Sequence, residues 1–204
     1  MWNWLKNIKN GYVQDKVVFV EMNIFFLSRK TRQCAKWHCD KHVVKMILES
    51  TQLLYTAHRE NGGNEMIEKD APICVTSGKR GYKGTHKNHP SAIWVRESLA
   101  HYSWLLWLAK DLVEEHMYRF SPKPYHACLV HLEWFEANPP PGLMDKTEWI
   151  RDPIPAMPDE YKRTNDSLTS YRNFYNGSKR ERGLLKYTKR HMPHIFETNT
   201  CIEI

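Results

Sequence analysis

The stretch from Trp37 to His58 constrains this chain most. It reads as one long helix whose apolar residues (Val43, Val44, Met46, Ile47, Leu48, Leu53, Leu54, Tyr55, Ala57) go almost all the way round. A helix of that kind has to be buried on most of its surface. What remains polar is a narrow stripe: His38, His42, Lys45, Glu49 and Gln52, spaced four, three, four and three residues apart. Those steps keep all five side chains on one helix edge. Two imidazoles, an amine, a carboxylate and an amide are costly in an apolar wrapper unless they face a cleft or each other. The stripe is therefore expected to form the floor of a functional site.

A chain of 204 residues buries a real core and fits one domain. The expected class is mainly α: a single compact helical domain over 22–204, with a short extended N-terminal segment and a long Pro-rich wrapping loop. Residues 1–21 read as an N-terminal extension, and Met22 offers an internal start that makes it optional. The net charge of +7 favours an anionic partner, nucleic acid first. Five cysteines, an odd number with no CxxC pair, fit a reduced, cytoplasmic protein, in the host cytoplasm if the source is viral. No apolar run approaches the roughly 20 residues of a membrane helix, so no membrane partner is expected.

Taken in order, the runs 17–20 and 24–27 read as short buried strands or as one extended piece crossing the core. Ser28 or Thr31 offers a cap for a first helix over 31–59, which the Asn61-Gly62-Gly63 run stops. Residues 62–88 read as irregular. They hold a basic, glycine-containing loop with Lys79, Arg80, Lys83, His86 and Lys87, which lacks the end of a Walker phosphate loop. His89-Pro90 opens a second helix running to about 119, because proline suits the first helical position. Asn88, Ser91, Ser98 and Tyr102 trace the polar edge that could face the first helix. A shorter helix is expected over 125–137. Residues 138–166 carry six prolines and read as extended chain packed over the site, with Asp159 and Glu160 available to it. Two closing helices are expected, over 166–176 and 178–190. The second carries Lys179, Arg180, Arg182, Lys186, Lys189 and Arg190 with Tyr187 among them, a mixture suited to phosphates and exposed bases.

Three chemistries are open to the stripe. His38 and His42, one turn apart, can share a metal ion, although no HExxH or paired CxxC supports a resident one and no cofactor is expected. Cys39 beside His38 is a weak nucleophile–base pair, since helical neighbours point about 100° apart. Lys45 and Glu49 offer an amine and a carboxylate one turn apart. A desolvated Lys45 is a nucleophile and Glu49 a proton carrier or cation stabiliser; the plain alternative is an ion pair.

The segments 22–25, 38–49, 85–91, 94–98 and 156–162 resemble those of an uncharacterised family of small phage-encoded proteins. The motifs are HCDKHVVKMILE, THKNHPS and AMPDEYK. More distantly, the chain is similar to the pyrimidine-dimer DNA glycosylases of the phage endonuclease V type. Those are small, basic, helical proteins with a catalytic glutamate on the first helix and a His-Pro before a later one. The resemblance implies base excision by amine attack at a sugar C1′, with Glu49 in the glutamate's role. That family uses its N-terminal amine, so here the nucleophile is Lys45, or the amine of Met22 if the chain starts there. Candidate catalytic residues are Glu49, Lys45, His42 and His38. Substrate contacts are Gln52, His86, Lys87, His89, Ser91, Tyr102 and Asp159. Phosphate contacts come from Lys79, Arg80, Lys83 and the basic residues of 179–190. The alternatives are a non-catalytic nucleic-acid-binding protein and a metal-dependent nucleotide-processing enzyme.

Overall fold

The computed structural model describes residues 23–196. The expected extension 1–21, its run 17–20 and Met22 lie outside the described residues. Among these residues the protein is mainly helical: seven α-helices and a few short turns pack as one domain around a shared core. One isolated bridge, Ile73 to Arg80, stands in place of any strand.

The helix expected over 31–59 is two helices, α1 (Thr31–Trp37) and α2 (Asp40–Glu60). His38 and Cys39 between them are extended, with ψ of 134° and 160°. Neither Ser28 nor Thr31 caps α1, whose N-cap is Lys30. Distant groups explain the break. The fully buried Arg119 donates to the Lys36 and His38 carbonyls at 2.9 Å each, groups that a continuing helix would have used. Asp40 then opens α2 with its amide donating to the Lys186 carbonyl at 2.8 Å. Its carboxylate accepts from the Thr188 amide and hydroxyl and from Arg119.

Helix α2 packs chiefly on α5 (Leu99–Phe120), which runs against it head to tail. Arg119 meets Asp40 at one end, and Tyr102 meets His58 at the other with ring centroids 5.6 Å apart. The second long helix is also split, because α4 (Pro90–Val95) stops before α5 begins. Ser98 caps α5, its hydroxyl accepting from the His101 amide, a role serine fills better than a helix interior. Helix α3 (Asn64–Asp70) lies in the stretch read as irregular. It buries only Ile67, too little to show a periodicity. Gly81 there takes φ +62°, and a Cβ on it would lie 2.5 Å from Cε1 of Tyr55. Helix α6 begins at Leu129 rather than 125 and ends at Ala137.

Residues 24–27 are buried as expected, each fully shielded from solvent, but they are neither a strand nor one extended piece, because Phe25 turns the chain at φ +52°. They thread between α2 and α7 (Ser167–Phe174). Asp166 caps α7 by accepting from the Thr169 amide. Beyond Phe174 the helix widens into a π turn, Tyr175–Lys179. The helix expected over 178–190 does not form. Gly183 turns the chain at φ +63°, and Tyr187 donates its hydroxyl to the Trp37 carbonyl, so this segment lies as irregular chain across the α1–α2 break.

Residues 138–166 are irregular as expected, with two short 3-10 turns. They wrap mainly the α4–α5 face and α7, and reach the N-terminal end of the α2 edge only indirectly, through the Ala156 carbonyl and Tyr161. Trp149 packs on Trp94, Trp104 and His101 of the α4–α5 face, and Tyr161 packs on Phe174 of α7. None of these ring contacts touches the α2 edge itself. Among the described residues no helix is long and apolar enough to cross a membrane.

Candidate functional site

The α2 edge divides into three environments. At its N-terminal end the leading segment seals it. The Phe25 ring stacks on His42 with centroids 4.1 Å apart and also faces Phe174 and Tyr175. Phe25 holds this position at φ +52°, a left-handed geometry unfavourable for an aromatic residue. Asn23 supports it, its side-chain oxygen accepting from the Ile24 and Phe25 amides while its NH2 donates to the Ala156 carbonyl.

His38 and His42 are 0% and 3% exposed. His38 Nδ1–H donates to the Cys34 carbonyl at 2.8 Å, and His42 Nδ1 lies 2.5 Å from the Tyr175 hydroxyl. Burial pulls His38 down to about 4. Burial, then the charges of His38, Lys179 and Lys45, holds His42 well below the ordinary histidine value. Both imidazoles are therefore neutral near pH 7 and shut off from a substrate, and they act as supports for the edge. Among the described residues no group of three or more His, Cys, Asp or Glu side chains is placed to hold a metal ion.

The π turn completes this end. It carries Tyr175 and Lys179 inward, both fully buried, with Lys179 Nζ 4.3 Å from the Phe174 ring centroid and 5.4 Å from that of Phe25. Gly177 makes the turn's approach possible, since a Cβ there would lie 2.5 Å from Cε1 of Tyr161. π turns of this kind recur at functional sites.

The middle of the edge opens. Lys45 Nζ and Glu49 Oε1 are 2.8 Å apart, with side chains 39% and 14% exposed. The expected desolvated lysine is corrected here, because the wrapper is incomplete. Val44 and Leu48, 45% and 38% exposed, flank the pair on the outer face. The amine is thus a solvated ammonium held by a mostly shielded carboxylate. Glu49 can accept its proton, and it can stabilise a cation formed beside it.

At the C-terminal end of the edge the segment 85–91 does approach α2. Thr56 Oγ accepts from the Thr85 amide at 3.1 Å, and α4 packs alongside. Gln52 and His89 are half-buried, with His89 Nδ1 accepting from the Ser91 amide, and His86 and Lys87 are exposed. Ser91 and Tyr102 are sealed at 0% and 1%, so neither touches a substrate in this conformation. Asp159 pairs with Lys162 in a turn packed on α7 and is not brought to the edge.

No known protein family, curated protein or solved structure matches this chain.

The basic residues differ in their surroundings. Lys79, Arg80 and Lys83 are exposed, with Arg80 also donating to the Ala71 carbonyl. Arg182 and Lys186 lie on the surface. The other four are committed to the fold. Lys179 is inside the aromatic box, Arg180 bonds Asn176, and Lys189 donates to the Tyr118 carbonyl. Arg190 donates twice to Glu115 at 2.8 Å. An extended phosphate-binding helix is thus replaced by a few separated cations. Tyr175 and the inward turn of Lys179 escaped the sequence reading, since Tyr175 meets His42 across 133 residues of chain. The only local signal was Gly177 between aromatic and basic residues.

Proposed function

We propose that the protein acts on DNA at the Lys45–Glu49 opening, by glycosylase/lyase-type attack at a nucleotide sugar C1′. The observation that carries this reading is the 2.8 Å amine–carboxylate pair, open to solvent at Lys45 and shielded at Glu49. Glu49 takes a proton from the Lys45 ammonium. The freed nitrogen lone pair bonds to C1′, the C1′–N glycosidic bond breaks, and the departing base takes the proton that Glu49 had accepted. A proton then passes from the Lys45 nitrogen to O4′, the C1′–O4′ bond breaks and the sugar ring opens, leaving an iminium linkage between Lys45 and C1′ beside the Glu49 carboxylate. The net charge of +7 and the exposed cations Lys79, Lys83, Lys87, Arg182 and Lys186 support an anionic polymer as substrate.

Borohydride trapping tests the proposal. Hydride reduces the iminium to a stable amine, so the protein becomes covalently joined to DNA carrying an abasic site or a damaged pyrimidine. Lys45→Ala should abolish trapping. Glu49→Gln keeps the shape and should slow it by about 10²–10⁴-fold while sparing DNA binding. Trapping that survives Lys45→Ala overturns the assignment of the nucleophile to Lys45. Failure to trap on any such DNA overturns the lyase reading altogether.

A further inference from the structure

A cleft of about 450 Å³ opens between residues 149–155 and the turn 163–167 that leads into α7, with Arg29 on its third side. No residue of α2 lines it. A space of this size accommodates a ligand as large as a nucleotide.

Its lining combines two chemistries. Trp149 is 38% exposed, so part of its ring faces open space. The ring is held fast. Its indole N–H donates to Asp152 Oδ1, Phe26 stacks at 6.3 Å, and Trp94 and His101 meet it edge-on at 5.5 and 5.1 Å. A rigid, partly uncovered indole is a platform for a planar ring, and it loses little entropy on binding.

The arginines differ in what holds them. Arg29 is tied to Asp152 at 2.8 Å, and Arg151 is tied to Glu97. The Arg163 guanidinium donates only to the Lys162 carbonyl, at 3.1 Å, and has no carboxylate partner among the described residues. The nearby Asp166 is turned to its own helix, where its oxygens accept from the Thr169 amide and hydroxyl at 2.9 and 2.6 Å. Arg163 is therefore the cation left to meet an anion, and a guanidinium suits a phosphate in particular.

We propose that this cleft binds one nucleotide unit, its base on Trp149 and its phosphate at Arg163. The unit is a free nucleoside monophosphate or one residue of a single-stranded chain. This site stands apart from the Lys45–Glu49 chemistry and does not depend on it.

Calorimetric titration of the full chain with dTMP, thymidine, inorganic phosphate and a ten-residue oligo-dT tests the proposal. dTMP should bind, and thymidine and phosphate should each bind at least about tenfold more weakly, since each lacks one of the two contacts. Arg163→Ala and Trp149→Ala should each weaken dTMP about tenfold or more. Trp149 also packs in an aromatic cluster, so Arg163→Ala, a surface change, carries the decision if Trp149→Ala fails to fold. Tighter binding of oligo-dT than of dTMP, with the same sensitivity to Arg163, assigns the site to a chain; the reverse order assigns it to the free nucleotide. Absence of binding by both at about 1 mM, or affinities unchanged in Arg163→Ala, overturns the proposal. Lys45→Ala should leave dTMP affinity unchanged, which separates this outcome from that of the trapping experiment.

Discussion

Arg119→Ala should be the most damaging single substitution outside the apolar core. The Arg119 side chain is fully shielded and makes four hydrogen bonds: to Glu115 at 2.7 Å, Asp40 at 3.0 Å, and the Lys36 and His38 carbonyls at 2.9 Å. It joins α5 to both sides of the α1–α2 break. Truncation leaves neither carboxylate wholly unpaired, since Glu115 keeps Arg190 and Asp40 keeps Thr188. The two carbonyls lose their partner outright, and each unsatisfied buried group costs about 1–3 kcal/mol. With the broken buried ion pair, the expected loss is about 3–5 kcal/mol. Urea unfolding followed by helical circular dichroism reads it directly. With a slope of about 2 kcal/mol per molar urea, the midpoint should fall by roughly 1.5–2.5 M. Arg119→Lys keeps the charge without the planar fork, so it should recover only part of that loss. A loss below about 1 kcal/mol for Arg119→Ala would show that the break is held by something other than this guanidinium.

Acid should destabilise the fold beginning near the ordinary histidine range. Burial lowers His38 and His58 to about 4, and it lowers His42, His101 and His131 as well. The unfolded chain therefore binds more protons than the folded one as pH falls from 6.5 toward 4, and stability should drop across that window. His101 gives the drop a location: neutral, it accepts from the Ile150 and Arg151 amides, and protonation removes that acceptor. Urea midpoints that stay flat from pH 7 to pH 4.5 would contradict this account. Tyr175→Phe removes the hydroxyl that meets His42 Nδ1 and accepts from the Cys39 amide. It should cost about 1–3 kcal/mol in the same unfolding assay, and a neutral result would mean that water replaces the phenol.

The helical class was written into the sequence because burial and period coincide within single segments. Val43, Met46, Ile47, Leu53 and Leu54 demand one buried helix face, and all five are shielded in α2. Lys45 and Glu49 were likewise paired by their spacing alone, as the 2.8 Å contact bears out. Residues 24–27 were apolar enough to require the interior. Tertiary structure decided where the helices break and which polar residues see solvent. The break at His38–Cys39 depends on Arg119, 81 residues away from His38, and no local pattern encodes that bond. Lys179 and Arg182 have the same charge and nearly the same position in sequence, yet one lies in an aromatic box and the other on the surface. Charge and periodicity are properties of a segment. Exposure is a property of everything packed against it, which here includes chain from the opposite end of the protein.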